Sequence, residues 1–279
     1  DDASLLDLPI IQCWPMDGRL DPALVSDRVL PSGGTLPPDL PHGTGRYITF
    51  GGVYTKDPDS GERNVGMYRV QVFDGRRAAM HWHLHHDGAR HHRAWAARGE
   101  PMPVAIVLGG ESVLPYAATC PLPPGISELL FAGFLNDGGI ELVPCKTIPI
   151  EVPANAEIVI EGWVDPIETL VEGPFGDHTG FYSLADRYPV FRVSAITHRA
   201  RPVYPATIVG KPPMEDYYLG KATERIFLPL LRMISPDILD YHLPRFGAFH
   251  NCAFVKIRKS FPYHARRVMH AIWGAGQMS

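Results

Sequence analysis

The stretch Glu172-Gly-Pro-Phe-Gly-Asp-His-Thr-Gly180 constrains the fold more than any other part of the chain. Three glycines and a proline in nine residues can continue neither a helix nor a regular strand, so a loop is imposed there. That loop carries two acids, Glu172 and Asp177, five positions apart. Held in one geometry near a cation, a carboxylate pair is divided by its surroundings into an acid and a base. The plainer alternative is a tight turn whose acids cap neighbouring amides.

The surrounding pattern is mostly short strands. An apolar run at Leu8–Trp14 reads as a strand, and Pro31–Gly45 is a Pro/Gly-rich loop or insertion. Tyr47–Thr55 and Asn64–Phe73, joined by Asp57-Pro-Asp-Ser-Gly61, form a hairpin signal. Ala79–His85 reads as a histidine-rich strand, Arg90–Arg98 as a helix, and Met102–Leu108 as a buried strand. A helix is expected over Ser127–Leu135 with Ser127 as its N-cap. Strands follow at Glu141–Pro144, Ile148–Val152, Ala156–Gly162 and Val190–Thr197. Beyond Pro205 the character changes to a helix over Asp216–Met233, a strand over Phe249–Ile257 and a helix over His264–Trp273. The expected class is α+β, with a mainly antiparallel, split barrel-like sheet followed by the start of an α/β unit. The divisions expected are 1–46, an N-terminal segment with the insertion, then 47–205 for the barrel and 206–279 for the α/β part.

Composition narrows the function. The 279 residues are 45% hydrophobic and 20% charged, with a formal net charge of −4 and no basic run, so nucleic acid is not an expected partner. No apolar stretch of membrane-spanning length is present, and the four cysteines form no CxxC pair. Reduced, mostly buried thiols and a cytoplasmic location are expected.

Three further segments carry chemistry. Asn64 and Arg69 lie an odd number of residues apart, so a continuous strand would point them to opposite faces unless a bulge intervened. Arg69 is otherwise a surface charge. His81, His83 and His85 would share one face of a strand, which is compatible with a three-histidine zinc site or with one working histidine among solvated ones. Glu128 sits in the first turn of the Ser127 helix, where the helix dipole favours a carboxylate with or without a ligand.

In this order, Asn64-Val-Gly-Met-Tyr-Arg69, the His-Trp stretch, Pro123–Glu128, Val152–Gly162, Glu172–Asp177 and Thr197-His-Arg199 resemble the UbiD family of reversible carboxy-lyases. The resemblance runs from about Asp7 to the end, with 19–46 as an unfamiliar insertion. It implies prenylated FMN in a split β-barrel, a divalent metal (Mn2+ or Mg2+) and a monovalent cation (K+ or Na+) near Ala117–Cys120. By position it implies Asn64, His85 (preferred to His86) and Glu128 as metal ligands, a donor set suited to a hard divalent ion. Asn64, Gly66, Met67, Tyr68, Arg69, His81, Trp82, His83, His85 and His86 would line the cofactor. The family's catalytic trio falls on Arg69, Glu172 and Asp177, with Arg69 keeping Glu172 ionised and Asp177 donating a proton after carbon dioxide leaves.

The resemblance further implies an aromatic, heteroaromatic or α,β-unsaturated acid as substrate, with phenolic acids such as 4-hydroxybenzoate favoured. It implies a flavin prenyltransferase as cofactor supplier and a homo-oligomer. Family members are longer, so the chain is expected to be a fragment or one subunit of a split enzyme. The rival readings are a non-catalytic flavin-binding subunit and a zinc hydrolase, the latter lacking any HExxH spacing.

Overall fold

The computed structural model describes residues 3–12, 14–19, 44–122, 125–248 and 250–274. They divide into two compact units. One comprises Asp1–Thr119, Gly125–Gly176 and Tyr182–Thr207, and the other Cys120–Pro124, Asp177–Phe181 and Ile208–Ser279.

The first unit is built on one antiparallel sheet. Its strands are β1 (Arg46–Ile48), β2 (Gly52–Lys56), β3 (Arg63–Met67), β4 (Val70–Val72), β5 (Arg77–Met80), β6 (Met102–Leu108), β9 (Ile158–Glu172) and β10 (Asp186–His198). They lie in the order β1-β4-β5-β10-β9-β6-β2-β3, and β7 (Leu142–Pro144) pairs separately with β8 (Glu151–Pro153). The central strand β6 is buried along its whole length because both faces are covered. Met102, Val104, Ile106 and Leu108 enter one apolar cluster with Ile48, Val70, Met80, Ile160 and Phe191, whereas Ala105 and Val107 enter a second with Tyr54, Ile148, Ile150 and Val152. A strand covered on both faces loses the polar alternation of a half-exposed one, hence the continuous apolar run.

The β9–β10 hairpin is much longer than the other strands, at 15 and 13 residues. Register shifts between Pro189 and Phe191 and between Val193 and Ala195 bend it, as inserted residues do in antiparallel pairs. A Cβ on Gly162 would sit 2.1 Å from the Arg192 carbonyl oxygen and 2.8 Å from the Phe191 ring, so the bend closes only over a glycine. The result is a curled half-barrel in an α+β protein. Among the described residues of this unit lie the helices α1 (Asp87–Ala97), α2 (Val113–Ala117) and α3 (Glu128–Leu135).

The second unit contains α4 (Glu215–Ile226), α5 (Leu228–Ile234), β11 (Ile238–His242), β12 (Phe254–Ile257) and α6 (His264–Trp273). Its core is Ile238, Val268 and Ile272, with Leu228, Leu231, Val255 and Ile257 packed around them.

Several expectations are corrected. The segment 8–12 forms no strand; a 3-10 turn, Leu5–Asp7, capped by the Ser4 side chain, precedes it. The Pro31–Gly45 segment lies almost wholly outside the described residues, as do Cys13 and Phe249. Tyr47–Thr55 is interrupted at 49–51, and Asn64–Phe73 at Tyr68–Arg69. The expected helix over Asp216–Met233 is two helices, divided at Phe227 and followed by a proline at the second position of α5. Cys120, Cys145 and Cys252 form no disulfide among the described residues and are half-buried rather than buried.

Candidate functional site

The largest correction concerns the histidines. β5 stops at Met80, and His81–His83 run in extended coil before a turn delivers His86 to the N-cap of α1. The histidines therefore share no strand face. His81 Nε2 lies 3.4 Å from His83 Nε2, and the His83 ring stacks on His85 at 5.7 Å. Among the described residues, no group of three His, Cys, Asp or Glu is arranged to hold a metal, so the three-histidine zinc site gains no support.

His81 has turned inward instead, onto Glu172. Glu172 is the last residue of β9, paired opposite Asp186, rather than part of the irregular loop. Arg69 reaches it because the chain leaves the sheet between β3 and β4, where the Arg69 carbonyl accepts the His81 amide. That break turns Arg69 inward without the bulge its spacing from Asn64 would otherwise require. Arg69 Nε donates to Glu172 Oε1 at 2.8 Å and Nη2 to Oε2 at 3.1 Å, a two-pronged pair. Nη2 also donates to Ser183 Oγ at 2.9 Å, and the guanidinium lies 4.8 Å from the Phe175 ring centroid. His81 Nδ1 completes the set, 2.9 Å from Glu172 Oε2. The side chains of Arg69 and Glu172 are 8% and 0% exposed. Burial pushes the Glu172 carboxyl up, but the charge of Arg69 and the hydrogen bonds from His81 and Arg69 outweigh it and leave the group at about 2. Glu172 is ionised. The neighbouring Tyr47 hydroxyl is held protonated by burial first and by the Glu172 charge second.

The loop after Glu172 is clamped by its own unit. The Gly173 amide donates to Gln71 Oε1 (2.9 Å), Gly18 N to the Pro174 carbonyl (2.8 Å) and Gly176 N to Asp17 Oδ1 (3.0 Å). Phe175 and Ser183 exchange two bonds, amide to hydroxyl and amide to carbonyl. Gly173 has φ +94°, a conformation open to glycine, and the Gly173–Pro174 peptide is cis. Asp177, the next residue, is grouped with the second unit. Its amide donates to the Phe181 carbonyl, and its Oδ1 accepts from the His178 amide and lies 2.8 Å from His178 Nδ1. Here the capping turn and the candidate acid are the same residue.

A second group gathers around Asn64. Glu128, first residue of α3 and preceded by Ser127 whose hydroxyl accepts from Leu129 N, takes the Val65 amide on Oε2 at 3.1 Å. Asn64 is buried, and its Nδ2 donates to Thr55 Oγ1 at 3.3 Å and to the Tyr68 hydroxyl. With both amide hydrogens committed, the carbonyl oxygen is what Asn64 presents. Burial raises the Glu128 carboxyl, with Asp87 and Glu62 adding to the effect against two amide hydrogen bonds, and it has no ion pair among the described residues. His86 lies 5.1 Å from the Tyr68 ring, whereas His85 is exposed and 4.7 Å from His86. Around them, Tyr68 packs over Gly66, where a Cβ would sit 2.2 Å from the ring, and Met67 N donates to the Ala118 carbonyl. Trp82 stands edge-on to Tyr68 at 6.2 Å, and its buried Nε1 has no hydrogen-bond partner.

Sequence reasoning overlooked Asp17, Gln71 and Ser183, which hold the loop and arginine, and Thr55 with His91, which orient Asn64. It also overlooked His250, whose Nε2 is 2.7 Å from His178 Nε2. The first five are ordinary polar residues far away in sequence, without a local signal.

The curled antiparallel sheet thus has a longest hairpin that ends in a carboxylate held by a buried arginine. The chain belongs to the UbiD family: the 3-octaprenyl-4-hydroxybenzoate carboxy-lyase Rift-related domain matches residues 1–212 and the corresponding C-terminal domain residues 217–279. An uncharacterised protein of Archaeoglobus fulgidus is 50% identical over 277 residues, covering 99% of this chain and 52% of its own length. One of Aquifex aeolicus is 52% identical over 281 residues, with 100% and 52% covered. The chain thus spans about half the length of the curated relatives it matches. Among solved structures, an evolved dimeric form of the UbiD-class enzyme HmfF from Pelotomaculum thermopropionicum, in complex with prFMN, is similar with a TM-score of 0.77 at 34% identity, covering 85% of this chain and 55% of that one. The vanillic acid decarboxylase of Sedimentibacter hydroxybenzoicus in closed form gives 0.77 at 28% identity, with 84% and 50% covered. No described helix is long and apolar enough to cross a membrane.

Proposed function

We propose that this chain carries the catalytic barrel of a UbiD-class decarboxylase, which removes carbon dioxide without net oxidation from an aromatic, heteroaromatic or α,β-unsaturated carboxylic acid. The observation that carries the reading is the buried Arg69–Glu172 pair with His81 on its second oxygen. A binding module has no need of an ionised carboxylate kept out of water at that cost. Family membership and the prFMN bound to HmfF support prenylated FMN as the cofactor.

The residues present fit both groups. Asn64 offers its carbonyl oxygen and Glu128 a partly desolvated carboxylate with no ion pair among the described residues, the hard donors that Mn2+ or Mg2+ prefers. An imidazole of the His85–His86 pair, His85 by position, would complete the ligands, and the Ala117–Cys120 backbone would meet K+ or Na+. The flavin would lie along Asn64–Arg69 and His81–His86, where Trp82 Nε1 is buried without a partner. When bound, it would supply the electron sink for carbon dioxide loss. Arg69, kept oriented by Glu172 and Ser183, attracts and aligns the substrate carboxylate. Glu172 stays charged throughout, and Asp177 delivers the proton that replaces carbon dioxide on the substrate carbon. A flavin prenyltransferase supplies the cofactor, and the enzyme works as a homo-oligomer.

The test is co-expression of the protein with a flavin prenyltransferase, followed by an absorbance spectrum, cofactor mass, metal content and a carbon dioxide assay over phenolic, heteroaromatic and cinnamic-type acids. Prenylated FMN with about one manganese per chain and turnover of one acid class is expected. A protein that holds flavin and metal but releases carbon dioxide from none of these acids would make it a binding subunit.

A further inference from the structure

The turn that presents Asp177 also carries a histidine pair that the trio Arg69, Glu172 and Asp177 leaves unexplained. His178 Nδ1 is 2.8 Å from Asp177 Oδ1, and its other ring nitrogen is 2.7 Å from His250 Nε2. Both rings are half-buried, with centroids 5.0 Å apart. At the start of α4, Asp216 is buried with its Oδ2 lacking a hydrogen-bond partner, and it acts on His178 together with Glu215. Lys211 also packs on this turn, its aliphatic part lying against Gly180.

We propose that His178 is a positioning residue that stores the proton Asp177 delivers, and that His250, by accepting the His178 Nε2–H, keeps Nδ1 turned to Asp177. The inference rests on Asp177 being the proton donor in the proposed decarboxylation. Its ground is that the three groups keep every hydrogen bond in two protonation states. An ionised carboxylate only accepts, so Nδ1 of His178 carries a hydrogen. If His178 is an imidazolium, its Nε2–H donates to the lone pair of His250 Nε2. If the proton has passed to Asp177, the carboxylic acid donates back to Nδ1 and the Nε2–H still donates to His250. The proton thus moves between His178 and Asp177 along one 2.8 Å hydrogen bond, with no side chain having to move. The Asp177 hydrogen bond, then the Asp177, Asp216 and Glu215 charges, raise the His178 titration against burial, while burial and the His178 charge lower that of His250. The proton therefore rests on His178.

The reaction balances with one proton. Loss of carbon dioxide leaves the electron pair of the broken C–C bond on the substrate carbon. His178 Nδ1–H passes a proton to Asp177, Asp177 gives it to that carbon, and water returns one at the partly exposed Asp177, from which it settles back on His178 Nδ1. No oxidant or reductant is consumed.

The test has two readouts. Ring-nitrogen NMR of the protein across pH is expected to show His178 titrating above the ordinary histidine value of about 6.5, and falling in Asp177→Asn. In the flavin-loaded enzyme, His178→Gln keeps a donor toward Asp177 but stores no proton. Its KM should stay within about twofold while kcat falls about a hundredfold, the basic limb of the pH profile disappears, and added imidazole rescues His178→Ala. A His178 ring that is neutral at pH 6.5, or a His178→Gln enzyme with an unchanged profile, overturns the proposal. If the wild type releases no carbon dioxide, the decarboxylase reading fails on that assay alone, and the ring titration still decides whether His178 holds the proton.

Discussion

Replacing Arg69 by methionine keeps the length of the side chain and removes its charge, and it tests how the site is held together. In the wild type, Glu172 is fully buried and lies at about 2, against a usual value near 4.5. That shift of about 2.5 units corresponds to about 3 kcal/mol of stability at neutral pH. Because the folded value is depressed, the contribution is present above the unfolded value and is lost as pH falls from about 4.5 toward 2. In Arg69→Met the balance inverts: burial, the largest influence, no longer meets the Arg69 charge and hydrogen bond, so the folded value rises and protonation relieves the site. The variant should therefore lose about 3–5 kcal/mol at pH 7, the cost of leaving one partner of a buried pair uncompensated. It should recover part of the loss at pH 4, and Arg69→Met/Glu172→Gln should recover part at pH 7. Urea unfolding followed by tryptophan fluorescence at both pH values measures this. A loss below about 1 kcal/mol, or wild type and variant weakening in parallel on acidification, would refute the reasoning.

Three other substitutions probe separate links. Gly162→Ala places a Cβ against the Arg192 carbonyl and Phe191 ring and should cost about 3 kcal/mol or more by forcing the hairpin open, measured by the same unfolding. Ser127→Ala removes the acceptor for Leu129 N and should cost about 1 kcal/mol, with Ser127→Asp close to wild type. Glu128→Gln should weaken Mn2+ binding at least about tenfold by calorimetric titration, without destabilising the metal-free protein at pH 7, since the charge it removes is one that burial opposes.

How far the sequence reveals the site depends on whether each residue's signal is local. The Met102–Leu108 strand and the Ser127 cap could be read because an apolar run and a capping serine act within a few residues, and the structure contains both. The loop after Glu172 was legible from its glycines and proline, but Glu172 itself ends a strand, because cross-strand pairing with Asp186 extends β9 to the loop's edge. The histidine run misled because alternation is equally compatible with a strand and with coil leading into a helix N-cap; the pairing partners of β5, ending at Met80, decide the matter. Gln71 and Asp17, which meet the loop from 102 and 159 residues away, have no pattern of their own to read.

The same distance rule applies to the way Asn64 is aimed, and here it yields a prediction. Thr55 sits opposite Asn64 on the neighbouring strand, and its Oγ1 accepts one Asn64 amide hydrogen. The hydroxyl proton is then free for His91 Nδ1, 2.9 Å away in the core, where burial keeps the ring neutral and able to accept. Direction thus runs from a fully buried histidine through a threonine to an amide, and it fixes which end of the Asn64 amide turns away from Thr55. Thr55→Val preserves shape but leaves the amide hydrogen and His91 without their partner, so the carbonyl is no longer held in place. Mn2+ affinity should fall about 10–100-fold, while Thr55→Ser should retain it. If the valine variant binds Mn2+ as tightly as wild type, the orientation of Asn64 is set by Tyr68 alone and the Thr55–His91 chain serves only the core.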